Sequence, residues 1–203
     1  MTITERLKAA SAELHHQAEH ALFTRELFKG RRPIADYAAL LQQMRLIHDA
    51  LETALTTDDH PSTRDVFDDA QRKTHLLKQD LEDLGAHEAP IALPATAAFI
   101  KRIESASPLW RLGVHYVLEG STNGNAFVAK SIRKAYDLEG DTATHYLDPY
   151  GSNQRSNWLA FKHRLDTLDI PETDQQTLID ADLATFRAII DIHEQLDRAT
   201  IPA

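Results

Sequence analysis

An all-helical fold is predicted by three features of the sequence. Apolar residues recur at three- and four-residue intervals, strand-like alternation is nearly absent, and short clusters of Gly, Pro, Asp and Ser separate the periodic segments. The breaks fall at 30–33, 58–61, 85–94, 105–108, 148–151 and 169–172. A chain of 203 residues with 42% apolar content can bury one sizeable core, and no linker or low-complexity tract divides it. Residues 1–203 are therefore read as one domain, and the lack of a fixed-period repeat argues against a solenoid.

The first segment reads as a long helix. Lys8, Ser11, His15, Glu19 and Leu22 share one narrow stripe, flanked by the apolar Leu7, Leu14, Ala18 and Ala21. An imidazole with a carboxylate one turn on suits an axial metal ligand whose second ring nitrogen is held by an acceptor, and it equally suits a surface histidine paired loosely with Glu19. Helix starts are marked further on at Ser107-Pro108 and Pro171-Glu172, where proline is tolerated in the first turn.

Residues 109–136 form a second long helical segment, yet Gly113, Gly120 and Gly124 lie inside it on one side, beside Tyr116, Val117 and Phe127. Each interior glycine weakens a helix by about 1 kcal/mol relative to alanine. Close helix packing or a kink would account for them, as would the approach of backbone to a flat ligand that any Cβ would obstruct.

Composition narrows the function. The net charge of −9, with its basic residues dispersed, argues against nucleic acid as a partner. The amphipathic N-terminus lacks the apolar run of a signal peptide and no segment reaches membrane-spanning length, so a cytoplasmic protein without a membrane partner is expected. The absence of cysteine removes disulfides, iron–sulfur ligation, a thiolate heme ligand and the cysteine chemistry of thiaminase-type enzymes. No Gly-x-Ser-x-Gly elbow occurs. A dinuclear iron bundle would need two Glu-x-x-His pairs, and the chain has one, Glu13 and His16. Most of His20, His48, His60, His75, His87, His145 and His193 are read as surface or boundary residues, for want of a paired spacing.

A family resemblance rests on two stretches. Leu14-His15-His16-Gln17-Ala18-Glu19-His20-Ala21-Leu22-Phe23 resembles the proximal helix of heme oxygenases. Glu119-Gly120-Ser121-Thr122-Asn123-Gly124-Asn125-Ala126-Phe127-Val128-Ala129-Lys130 resembles their glycine-kinked distal helix in its bacterial form, and the stretch from Trp158 through Arg164 to Leu196 is similar in pattern too.

The resemblance implies a single-domain, all-α heme oxygenase-like bundle with a glycine-kinked distal helix. Heme would be both cofactor and substrate, opened with dioxygen to biliverdin, carbon monoxide and ferrous iron. Electrons would come from an external ferredoxin or flavin reductase, since no dinucleotide fingerprint is present. His15 would ligate the iron, in preference to His16, which points about 100° away, with Glu19 behind it. Lys8, Lys162 and Arg164 would meet the propionates; Tyr116 and Phe127 would wall the pocket; Gly120, Ser121, Asn123 and Gly124 would form the distal face. Two positions depart from the family pattern: Asn123 stands where an apolar residue is common, and Asn125 where glycine or alanine is usual. Ser121 replaces the aspartate that orders distal water in mammalian members, and Asn123 is expected to reach the pocket while Asn125 turns away. A heme-binding homologue without turnover and a non-heme dinuclear iron protein are the alternatives.

Overall fold

Helix α1 (Ile3–Glu19) opens on a capping box, in which the Thr2 hydroxyl accepts the Glu5 N–H and the Glu5 carboxylate accepts the Thr2 N–H at 2.9 Å. The computed structural model describes residues 1–199. After α1 come α2 (Leu22–Phe28), α3 (Ile34–Thr56), α4 (Pro61–Val66), α5 (Thr74–Asp83), α6 (Pro94–Ser105), α7 (Pro108–Tyr136), α8 (Gln154–Asp166) and α9 (Glu172–Ala199). Among the described residues there is no strand. Short 3-10 turns at Asp69–Gln71 and Gly151–Asn153 complete the chain.

The long helices α7 and α9 pack along one another at the centre, α1 lies on α9, and α3 packs against both α5 and α6. One contiguous cluster of buried apolar side chains, with Leu7, Phe23, Leu41, Ile47, Leu112 and Leu178 among its members, runs through all of these contacts. The α7–α9 approach is close enough that a Cβ on Gly113 would lie 2.6 Å from both Ala181 Cβ and the Leu178 carbonyl oxygen. Gly113 is thus a packing glycine.

All six breaks read from the sequence separate helices here, and the start at Pro108 follows its expected cap, with the Ser107 hydroxyl accepting the Trp110 N–H. Two breaks carry no Gly or Pro signal. At the first, α1 stops at Glu19 because His20 folds back, its Nδ1 2.9 Å from the His16 carbonyl, so Leu22 starts α2 instead of extending the α1 stripe. At the second, the segment from Phe67 to Lys73 is held by an Asp68–Gln71 capping box. Helix α7 runs unbroken through its glycines. Ser121, Thr122 and Asn123 each bond back to the preceding turn, at Leu118 O, Glu119 O and Gly120 O, over 2.7, 2.6 and 2.9 Å.

Candidate functional site

The stripe on α1 is built as its periodicity requires. Ser11 is buried and donates to the Leu7 carbonyl at 3.0 Å, while Lys8, His15 and Glu19 are exposed. His15 Nδ1 lies 3.5 Å from Glu19 Oε2, and the imidazole meets the Phe186 ring of α9 edge-on, with centroids 5.5 Å apart. Its side chain stays 54% exposed. His16 points elsewhere and stacks on His20.

On α7 the three glycines meet three different surroundings. Gly113 meets α9, whereas a Cβ on Gly120 would come to 3.1 Å from Cη2 of Trp158, and one on Gly124 would find no atom within 4 Å. Tyr116 packs one turn before Gly120, against Trp158, and its hydroxyl donates to the Thr4 carbonyl at 3.3 Å, tying α7 to the start of α1. Burial, then the nearby carboxylates of Asp182 and Asp166, push the Tyr116 phenol well above its ordinary range, so it keeps its proton. Phe127 is 78% exposed. Among the described residues, no hydrogen bond, ion pair or ring contact links 12–19 of α1 to 120–127 of α7.

The polar groups of this α7 turn are arranged differently from the expectation. Asn123 is exposed and its amide donates to Gly120 O, whereas the half-buried Asn125 directs its N–H to Ser121 Oγ at 3.4 Å. The amide that meets Ser121 is therefore Asn125, one full turn on. On α8, Trp158 stacks on Phe161 and carries the Lys162 ammonium 5.6 Å from its ring centre. Arg164 lies two residues further round, and its Nε donates to the Val66 carbonyl at the end of α4. The structure thus groups Lys162 with Trp158 and Gly120 and turns Arg164 to α4.

Behind α7 lies a buried polar network that the motifs do not mark. Lys73 and Glu119, each with a side chain 2% exposed, pair at 3.1 Å. The ammonium also donates to Tyr150 OH and to Gln71 O, both at 2.7 Å, and Tyr150 donates to the second Glu119 oxygen at 2.7 Å. Burial lowers the Lys73 pKa, and Glu119 acts against it. Nearby, Glu52 accepts the main-chain N–H groups of Lys73 and Thr74 at 2.6 and 3.1 Å. Burial pushes its carboxyl up, but His48, with Nδ1 3.6 Å away, the Lys73 N–H and Thr74 together outweigh it and hold the carboxyl at about 2. Burial also keeps three histidines neutral: His48, His115 at about 3 and His193 at about 4. His48 and His193 are thus exceptions to the surface or boundary placement expected for most of the remaining histidines.

The polar spacing carried a signal. His115, Glu119 and Thr122 follow one another at four and three residues on the apolar stripe of α7, and His48 and Glu52 do so on α3. A second acidic group, Asp80 and Asp83 with His145, anchors the loop before α8. Asp80 accepts the His145 and Tyr146 N–H groups and His145 Nδ1, all at 2.8 Å, which fills it as a structural acceptor.

A profile of the heme oxygenase family matches residues 1–195. No curated protein sequence matches the chain. Among solved structures, the chain superposes on heme oxygenase-1 of the cyanobacterium Synechocystis in complex with heme with a TM-score of 0.86, at 17% identity over 98% of this chain and 93% of that one. Heme oxygenase 2 of Chlamydomonas reinhardtii, solved without heme, gives 0.85 at 24% identity over the whole of both chains. A TenA homologue from P. horikoshii is more distant, with 0.64 at 12% identity over 98% of this chain and 100% of that one. The fold is therefore shared beyond one activity, but the heme oxygenase profile covers nearly the full length: this chain belongs to the heme oxygenase family.

Proposed function

We propose that this protein is a heme oxygenase, which binds heme between the His15 stripe of α1 and the Gly120–Gly124 face of α7 and opens it to biliverdin, carbon monoxide and ferrous iron. The observation that carries the reading is an exposed imidazole on α1, braced by Glu19 and Phe186, together with an α7 face left bare at Gly124 and Phe127. A flat, apolar ligand with an iron centre would use both, because it would cover Phe127 and take the place a Cβ would fill at Gly124.

Roles are assigned from the resemblance together with the geometry. With Nδ1 turned to Glu19, His15 would keep Nε2 for the iron, and a histidine ligand lacks the strong electron push of a thiolate. Lys8 and Lys162 would meet the two propionates, while Arg164 bonds α8 to α4 through Val66. Trp158 and Tyr116 form a wall beside Gly120. Bound heme supplies the iron that activates dioxygen and the porphyrin carbon that is oxidised. Ser121 and Asn125, already bonded to each other, hold hydroxyl and amide groups where ordered water would deliver protons, with Asn123 at the exposed rim. A ferredoxin or flavin reductase would supply electrons. No helix among the described residues is long and apolar enough to cross a membrane, which accords with a cytoplasmic enzyme.

Hemin titration followed by a reductant system tests the reading. The expected result is a hemin spectrum that His15→Ala abolishes or makes dependent on added imidazole and that His16→Ala leaves intact, with bilin formed on reduction. A normal hemin spectrum without bilin would make this a heme-binding relative lacking turnover. Loss of the spectrum in His16→Ala alone would overturn the ligand assignment.

A further inference from the structure

Asp182 is the one fully buried carboxylate among the described residues with neither oxygen hydrogen-bonded. Such a group is costly unless something answers it. It stands on α9 one turn before Phe186, the residue that packs on His15, and beside Ser11, which stands one turn before His15 on α1. Two adjacent turns of α9 thus address two adjacent turns of α1.

Among the described residues no cation pairs with the carboxylate. From α1 the polar neighbour is Ser11; from α7 it is the protonated phenol of Tyr116; from α8, Asp166 is occupied by the Thr4 N–H and hydroxyl at 2.9 and 2.8 Å. The contacts of α9 with α2 and α6 through His193–Thr24 and Gln195–Ala95 lie about three turns away. Burial pushes the carboxyl up to about 7, with Ser11 the sole group acting in the other direction. Ser11 can serve the ionised carboxylate only by surrendering its bond to Leu7 O, whereas a protonated carboxyl can donate to the free lone pair of Ser11 Oγ while that bond stays in place.

We propose that Asp182 is a positioning residue for the proximal helix, its protonated carboxyl donating to Ser11 and Ser11 donating to Leu7 O, so that one proton fixes the turn of α1 from which His15 projects. Ionisation breaks the chain and loosens α1 where heme would bind. The consequence for heme rests on the reading of His15 as iron ligand; the α9–α1 latch does not.

The test uses the full chain with and without hemin. In the heme-free protein, amide resonances of residues 7–11 should titrate between about pH 6 and about pH 8, and Asp182→Asn, which fixes a neutral donor at this position, should remove that titration. Ser11→Ala cuts the same chain from the other end and should remove it too, which keeps the test intact if one variant fails to fold. With hemin, wild-type affinity should fall by about tenfold across the same range, the equivalent of one lost hydrogen bond. Asp182→Asn should stay at the low-pH affinity, and Ser11→Ala should be weak at every pH. Persistence of the titration in both variants, or its absence from the wild type, overturns the latch. A titration that behaves as expected while His15→Ala leaves the hemin spectrum unchanged overturns the ligand reading and keeps the latch.

Discussion

Gly113 and Gly124 occupy one helix, and the same substitution should have opposite effects at the two. Alanine in place of an interior glycine stabilises a helix by about 1 kcal/mol. At Gly124 nothing opposes that gain, because the new Cβ meets no atom within 4 Å. At Gly113 the Cβ would lie 2.6 Å from Ala181 Cβ and from Leu178 O, and 3.2 Å from Leu178 Cα. Carbon atoms pack at about 3.5–4.0 Å, so the shortfall approaches 1 Å, and two of the three obstacles are backbone that no rotamer change can move. The helices must separate. Overpacking of this kind costs about 1–3 kcal/mol, which leaves Gly113→Ala less stable by up to about 2 kcal/mol after the propensity gain. For a chain of this size that is a fall in Tm of up to roughly 8 °C, against a rise of about 2–4 °C for Gly124→Ala. Urea and thermal unfolding of the heme-free proteins measure both. A Gly113→Ala stabilised as much as Gly124→Ala would refute the close α7–α9 approach, and a destabilised Gly124→Ala would show that its face is filled.

Two further predictions concern the network behind α7. Lys73→Met leaves Glu119 charged and buried without its cation, which should destabilise the fold by about 3–5 kcal/mol in urea. Adding Glu119→Leu should recover most of the loss, and a double variant no better than the single one would show that the pair is not the source of the effect. Glu52 is held at about 2, below its ordinary 4.5, so its stabilising contribution is full above about pH 4.5 and disappears as the pH falls toward 2. Glu52→Gln should therefore flatten the acid limb of the unfolding curve by up to about 3 kcal/mol and cost stability at neutral pH, and an unchanged acid limb would contradict the assignment.

How much of this was legible in the sequence depends on the range over which each signal acts. Helices with local punctuation, such as the cap at Ser107 and the start at Pro108, could be read directly, because the residues that decide them lie within one turn. The end of α1 could not, since it turns on His20 folding onto His16, a choice no turn residue announces. The α1 stripe was legible, but Phe186, the partner of His15, lies 171 residues away in the chain. The same holds for Lys73 and Glu119, and for Asp182 and Ser11. A polar residue on an apolar stripe announces that something must answer it, and the sequence does not name the partner. The glycines of α7 were seen to share a side, yet packing, aromatic contact and open space are told apart only by what stands opposite each one.

That difference along α7 also explains where the network sits. From Leu112 to Glu119 every residue of the helix is buried, whereas between Gly120 and Tyr136 only Thr122, Ala129 and Ile132 are. Glu119 thus ends the run of continuous burial, and beyond it α7 is buried only at single positions. Apolar packing, being non-directional, can hold the first half but cannot fix the angle at which the second half leaves the core. Directional bonds can. The Glu119 carboxylate is gripped by Lys73 and Tyr150 at the exit point, and one turn later Gln154 donates to Thr122 at 2.6 Å. A buried ion pair is a poor source of net stability, because desolvation consumes most of its attraction. Its placement at the junction instead sets the direction of the second half of α7 relative to the first.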